Sequence, residues 1–191
     1  MSSHFFAMLS RMKNIFRWGL MRNTRKESLS EHSLEVAYIA HALALIRNRR
    51  FGGNVNAERI ATAAMFHDTS EIITGDMPTP IKYYNEDIKK VYKQIESVAD
   101  STLLDMLPED LKEDYEPLYN PNCEEKKIIK AADKISALIK CIEELNMGNR
   151  EFEMAEKSTR KCIEELNLPE AEVFLDEFIG SYYLTLDELR S

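Results

Sequence analysis

Apolar side chains recur along this chain at helical spacing, and no stretch alternates for long with the period of two that marks a strand. Over residues 4–16, Phe5, Phe6, Met8, Leu9, Met12, Ile15 and Phe16 form one broad stripe, which predicts a first helix. A basic segment from Arg17 to Lys26 interrupts the pattern. Ser28 with Glu31 then fits a capping box, with Ser30 as a competing N-cap. The helix it opens runs to about Arg47 and turns Val36, Ile39, Ala40, Leu43 and Ile46 inward. Gly52-Gly53-Asn54 supplies a turn, and a helix over 56–73 follows, ending before Gly75. Pro78 and Pro80 fix Asp76–Pro80 as an extended turn and exclude helix there. Further helices are predicted at about 86–106, 124–147, 150–166 and 170–188, with breaks at Pro108, Pro117 to Pro121, Gly148 and Pro169. The expectation is a single all-α domain over 1–191, a helical bundle without repeats or low-complexity tracts.

Composition narrows the partners. A chain of 191 residues is long enough for one real core. Its 25 basic and 33 acidic residues leave a net charge of −8, so the surface repels long polyanions and no nucleic-acid polymer is expected to bind. A small phosphate ester remains compatible, held by a local arginine cluster and a metal. No apolar run reaches the ~18–20 residues that span a bilayer, and no membrane association is expected. The segment Met1 to Met21 carries Arg11, Lys13 and Arg17 among its apolar residues and lacks the n-region, h-region and cleavage site of a secretory signal. Cys123, Cys141 and Cys162 are odd in number, far apart and without C-x-x-C spacing, as reduced thiols of a cytoplasmic protein would be.

The candidate chemistry is a set of metal-ligand side chains: His32, the pair His67-Asp68, and Asp133. On a helix over 56–73, His67 and Glu71 lie four apart and project to one side, while Asp68 points about 100° round the axis. His32 falls in the first turn of its helix, in line with Val36, Ile39 and Leu43; it reads either as a core histidine satisfied by one hydrogen bond or as a ligand. Asp133 lies in the apolar run Ile128 to Leu138 and needs a cation, either a metal or Lys130, Lys134 or Lys140. Two imidazoles and two carboxylates suit Mn, Fe, Co, Ni or Zn better than Mg or Ca. Glu71 is placed to orient or deprotonate a metal-bound water, or else is a helix-end carboxylate. Asp76 is a second acid/base candidate, or a turn residue. Arg17, Arg22, Arg25 and Lys26 surround Trp18, the only Trp, and form either a phosphate clamp beside an aromatic wall or a solvated loop. Lys82 is a further possible phosphate contact, and His4 and His41 read as structural.

Beyond these residues, the stretches Phe5 to Lys13 (FFAMLSRMK), Arg17-Trp18, Ser30-Glu31-His32-Ser33, His67-Asp68-Thr69-Ser70-Glu71 and Thr74 to Pro80 (TGDMPTP) occur in an order that resembles one family. The chain is similar to the bacterial YfbR-like 5′-deoxynucleotidases of the HD-domain phosphohydrolase superfamily, from the first helix through Glu144 and more loosely beyond Gly148. The resemblance implies an HD-type helical bundle, assembled as a homodimer, that dephosphorylates deoxyribonucleoside 5′-monophosphates with one divalent metal per chain, cobalt being typical in assays. It implies His32, His67, Asp68 and Asp133 as metal ligands and Glu71 and Asp76 as catalytic carboxylates. Substrate contacts would come from Arg17, Trp18, Asp76, Met77, Pro78 and Thr79, with His32 and Asp133 reaching the substrate as well. A crowded wall at the Arg17-Trp18 region would reject the ribose 2′-hydroxyl. Two-metal members of the superfamily need extra histidines, and His4 and His41 are not placed to help. The competing readings are a broader nucleotide phosphohydrolase without sugar selectivity, and a helical sensor whose metal is only structural.

Overall fold

The computed structural model describes residues 2–82 and 84–190. Among these, the longest element is α2 (Leu29–Arg50), and the capping box at Ser28 opens it: the Ser28 hydroxyl accepts from the Glu31 N–H, and the Glu31 carboxylate takes the Ser28 N–H. Such a cap contributes about 1 kcal/mol. The predicted inward set of this helix is buried throughout. It packs on α3 (Ala57–Met65) through Ile60, Ala63 and Ala64, and on α8 (Cys123–Asn146) through Ile128, Ala131, Ile135 and Leu138. The alanines let these three helices approach closely. Ile163 of α9 (Glu153–Glu164) and Ala171 and Phe174 of α10 (Pro169–Glu177) close the core from the C-terminal side. Each fully buried Leu or Ile here is worth about 1.5–3 kcal/mol.

A second cluster joins α1 (Phe5–Leu9), α6 (Glu86–Leu104) and α7 (Glu109–Tyr119) around Phe5, Leu103 and Leu107. Arg47 ties α2 to Glu124 and Glu170, and Arg59 ties α3 to Glu125 and to the Pro117 carbonyl. No strand occurs among the described residues; one isolated antiparallel bridge joins Phe16 to Ser28.

Several boundaries differ from the pattern-based expectation. The helix predicted over 56–73 breaks: α3 stops at Met65, residues 66–70 form turns, and a single turn, α4 (Glu71–Thr74), follows. Side chains cause the break. His67 Nδ1 donates to the Ala64 carbonyl at 2.7 Å and Thr69 Oγ1 to the Phe66 carbonyl at 2.8 Å, reinforcing the i−3 backbone bonds that His67 and Thr69 make to the same carbonyls in place of helical i−4 bonds. The prolines at 78 and 80 leave Asp76–Pro78 without helix but permit a one-turn helix, α5 (Thr79–Lys82), because a proline in a first turn forfeits no hydrogen bond. Helix α7 was not anticipated; Pro117 sits in its last turn and removes one backbone donor there, while Tyr115 and Tyr119 pack on Phe66. The first helix gives way to a 3-10 segment at Ser10–Asn14, and Phe6 and Phe16 of its stripe are exposed. The helix expected to run to 188 ends at Glu177, followed by 3-10 turns at Ile179–Tyr183 and Glu188–Arg190.

Candidate metal centre and substrate groove

His32 enters from the first turn of α2, Asp133 from the middle of α8, and His67 and Asp68 from the turn after α3. Their donor atoms lie within 4.8 Å of one another. Each imidazole is held from behind. His67 Nδ1 faces a carbonyl, which only accepts, so Nδ1 carries a proton and Nε2 is the nitrogen turned toward the cluster. His32 Nδ1 lies 3.0 Å from the buried hydroxyl of Ser136. Both Nε2 atoms are buried without a hydrogen-bond partner. They face carboxylate oxygens: His67 to Asp68 at 3.1 Å, and His32 to Asp133 at 3.2 Å and to Asp68 at 3.6 Å. Electron-rich atoms converging this closely need positive charge between them, and the nitrogen–oxygen donor set fits a divalent ion.

Electrostatics around the cluster point the same way. Burial pushes His32 down to about 4, with the Arg17 charge adding, so His32 is neutral at physiological pH. Asp68 stays well below the ordinary carboxylate range; its burial is outweighed by His67 and Arg17. Burial, then the charges of Asp68 and Asp76, lift Glu71 to about 9, and its Oε2 is buried without a partner. Burial also raises Asp76, against Arg17 and Lys82.

Arg17 is the one member of the predicted basic cluster that reaches the centre. Its guanidinium contacts Asp68 at 3.2 Å, Glu27 at 3.4 Å and Asp133 at 3.8 Å. Arg22 and Arg25 instead pair with Glu151 and Glu31, and Lys26 lies over the Phe16 ring. Trp18 has a left-handed backbone (φ 61°), which costs on the order of 1–3 kcal/mol in a non-glycine residue. Its indole N–H donates to Glu27 at 2.9 Å and its ring packs on Phe152, so the strain is held by tertiary contacts. Arg17, Trp18, Asp76, Met77, Pro78 and Thr79 all line one groove of about 900 Å3, whose far wall is built from α8 and α9, including Lys134 and Cys162.

Of the three lysines offered for Asp133, Lys134 is the one that pairs with it, at 3.0 Å; Lys140 is buried against Glu144. Lys82 pairs with Glu96 at 2.7 Å. His4 and His41 do not join the cluster. Sequence reasoning missed Ser136, Glu27 and Glu35. Ser136 left one faint signal: a polar residue one turn after Asp133 in an apolar run.

A family model described as 5′-deoxynucleotidase YfbR-like matches residues 4–182. The chain belongs to the YfbR-like 5′-deoxynucleotidase family. A 5′-deoxynucleotidase of Photobacterium profundum is 56% identical over 190 residues, covering 98% of each chain. The 5′-deoxynucleotidase YfbR of Escherichia coli O127:H6 is 53% identical over 190 residues, covering 98% of this chain and 96% of that one. Among solved structures, an HD-domain phosphohydrolase from Listeria innocua superposes with a TM-score of 0.82 at 24% identity, over 98% of this chain and 92% of the other. A cyanophage S-2L HD phosphohydrolase bound to dA and one catalytic Zn2+ ion superposes with a TM-score of 0.67 at 17% identity, over 92% and 96%. These two likenesses are of fold, and they give this YfbR-like chain the HD-domain architecture.

Proposed function

We propose that this protein hydrolyses deoxyribonucleoside 5′-monophosphates to deoxynucleoside and phosphate, with one divalent ion held by His32, His67, Asp68 and Asp133. The observation that carries the site reading is the pair of unpartnered Nε2 atoms aimed at two carboxylates in a family of 5′-deoxynucleotidases. When bound, such an ion acidifies a coordinated water and polarises a phosphoryl oxygen. Cobalt is the ion expected to serve best in vitro; Mn, Fe, Ni and Zn suit the same donors. Glu71, with an unpartnered buried oxygen, orients the attacking water, and Asp76 serves the leaving oxygen. Arg17 holds the phosphate, with His32 and Asp133 at its inner edge. Trp18, Met77, Pro78 and Thr79 close on the sugar, where a clash rejects the 2′-hydroxyl.

The protein acts as a homodimer in the cytoplasm, on small substrates and not on nucleic-acid polymers or membranes. Exposed Val91, Ile95 and Val98, recurring along one face of α6, support self-association. No helix among the described residues is long and apolar enough to cross a membrane.

The test is phosphate release from metal-stripped protein, comparing 5′-dAMP, 5′-AMP and 3′-dAMP with Co, Mn, Zn or Mg restored in turn. Release from 5′-dAMP alone, and only with metal, is expected. Equal release from 5′-AMP removes the sugar selectivity, and no release with any metal removes the enzyme.

A further inference from the structure

The two histidines of the cluster are held differently, and the difference assigns a task to residues outside it. The partner of His67 is a carbonyl, so its tautomer is decided by chemistry that cannot be reversed. The partner of His32 is the Ser136 hydroxyl, which can donate or accept. A hydroxyl donating to Nδ1 would leave the His32 proton on Nε2, pointed at Asp133 and closed to a metal. The ambiguity ends one residue further out. Ser136 Oγ lies 2.6 Å from Glu35 Oε2, and to the ionised carboxylate it can only donate, which spends its only proton. The hydroxyl oxygen can then only accept from Nδ1–H, and the Nε2 lone pair is left facing the cluster.

We infer that Glu35 and Ser136 are positioning residues that fix His32 as the Nδ1–H tautomer and so set the metal affinity of the site. The arrangement is built for this and not for packing. Ser136 and His32 are both buried between α2 and α8, where a serine would otherwise be replaceable by alanine. Glu35 borders a polar cavity of about 100 Å3 with Arg25, Lys26, Glu27, Glu31, Lys140 and Glu143. Outer-shell partners of this kind typically govern 10- to 100-fold in metal affinity.

The inference rests on the metal reading of the cluster, so its test has one arm that needs no metal. In metal-free protein labelled with 15N-histidine and held at pH 8, where Glu35 is ionised, long-range 1H–15N spectra report the tautomer of each of the four histidines, with His32 assigned by a His32→Gln variant. The proton is expected on Nδ1 of His32; finding it on Nε2 overturns the inference. In the second arm, cobalt affinity is measured by competition with a chelator. Ser136→Ala and Glu35→Ala are each expected to weaken binding by about 10- to 100-fold with the helical circular dichroism unchanged, while Glu35→Gln, whose carbonyl still accepts from Ser136, stays near wild type. Ser136→Ala or Glu35→Ala binding cobalt as tightly as wild type overturns the inference. Should Ser136→Ala fail to fold, the Glu35 pair decides. A wild-type protein that binds no cobalt would instead sink the proposed metal site, and the tautomer spectra would still decide the role of Ser136 and Glu35.

Discussion

Glu35→Gln is expected to stabilise the metal-free protein at pH 8 and to lose most of that gain at pH 5. Glu35 is partly buried on α2 and takes one hydrogen bond, from Ser136. Burial pushes its carboxyl from 4.5 to about 7; the Ser136 bond opposes this, the charges of Glu27 and Glu143 add to it, and Arg25 opposes again. Tyr182 packs nearby and is itself pushed up. A folded-state value above the unfolded one means that the native state binds this proton more tightly. Below pH 4.5 both states are protonated and nothing is lost. As the pH rises through 4.5 toward 7 the native state forfeits stability, and above 7 the whole cost is present. At 1.36 kcal/mol per pKa unit, that cost is about 3 kcal/mol at pH 8 and about 1 kcal/mol at pH 5. Glutamine is uncharged at both. For a chain of this length each kcal/mol moves Tm by about 2–4 °C, so the variant should melt about 6–12 °C higher at pH 8. The assay is thermal unfolding followed by circular dichroism with EDTA present, wild type against variant at the two pH values. Equal melting at pH 8, or a gain at pH 5 as large as that at pH 8, would refute the argument that ionising Glu35 is what costs stability.

Other expectations follow from the same geometry. Glu71→Gln should lower kcat by about 10²- to 10⁴-fold while cobalt stoichiometry, read by metal analysis, stays at the wild-type level; loss of both would make Glu71 structural. Arg17→Lys should lower kcat/KM for 5′-dAMP by about tenfold or more, because an ammonium cannot reproduce the planar fork, and unchanged kinetics would remove the phosphate clamp. Lys140→Met leaves the buried Glu144 carboxylate its hydrogen bonds from Thr24, Arg25 and Asn149 but removes its cation, and should cost about 3 kcal/mol in urea unfolding; an unchanged midpoint would contradict this. Cobalt at about 100 times its dissociation constant should stabilise the stripped protein by about 2.7 kcal/mol, and a Tm insensitive to cobalt would contradict the proposed site.

Much of the helical framework was legible because its causes are local. The Ser28 capping box, the inward set of α2 and the bounds of α8 within a residue depend only on neighbours three or four positions away. Asp133 stood out for a similar reason: a carboxylate among isoleucines and alanines needs compensation wherever it ends up. The break after Met65 was not legible, because the side chains that cause it also suit a helix end. Phe66 is settled there by Tyr115 and Tyr119, which belong to a helix that two prolines had hidden. Residue chemistry by itself could not separate Arg17 from Arg22 and Arg25, which only the family resemblance set apart. All three lie in one basic segment, and only the fold turns the first toward Asp68 while the others meet Glu151 and Glu31.

By itself, then, the sequence determined the helical periods, their caps and the kinds of donor atom available, since each follows from short-range hydrogen bonding and the burial of one helix face. The tertiary structure alone decided which of those donors converge and in what protonation state they stand. His32 gains a neutral ring, a single tautomer and two carboxylates in front of it only because α2 packs on α3 and α8, which removes water and brings in Ser136 from a distant part of the chain.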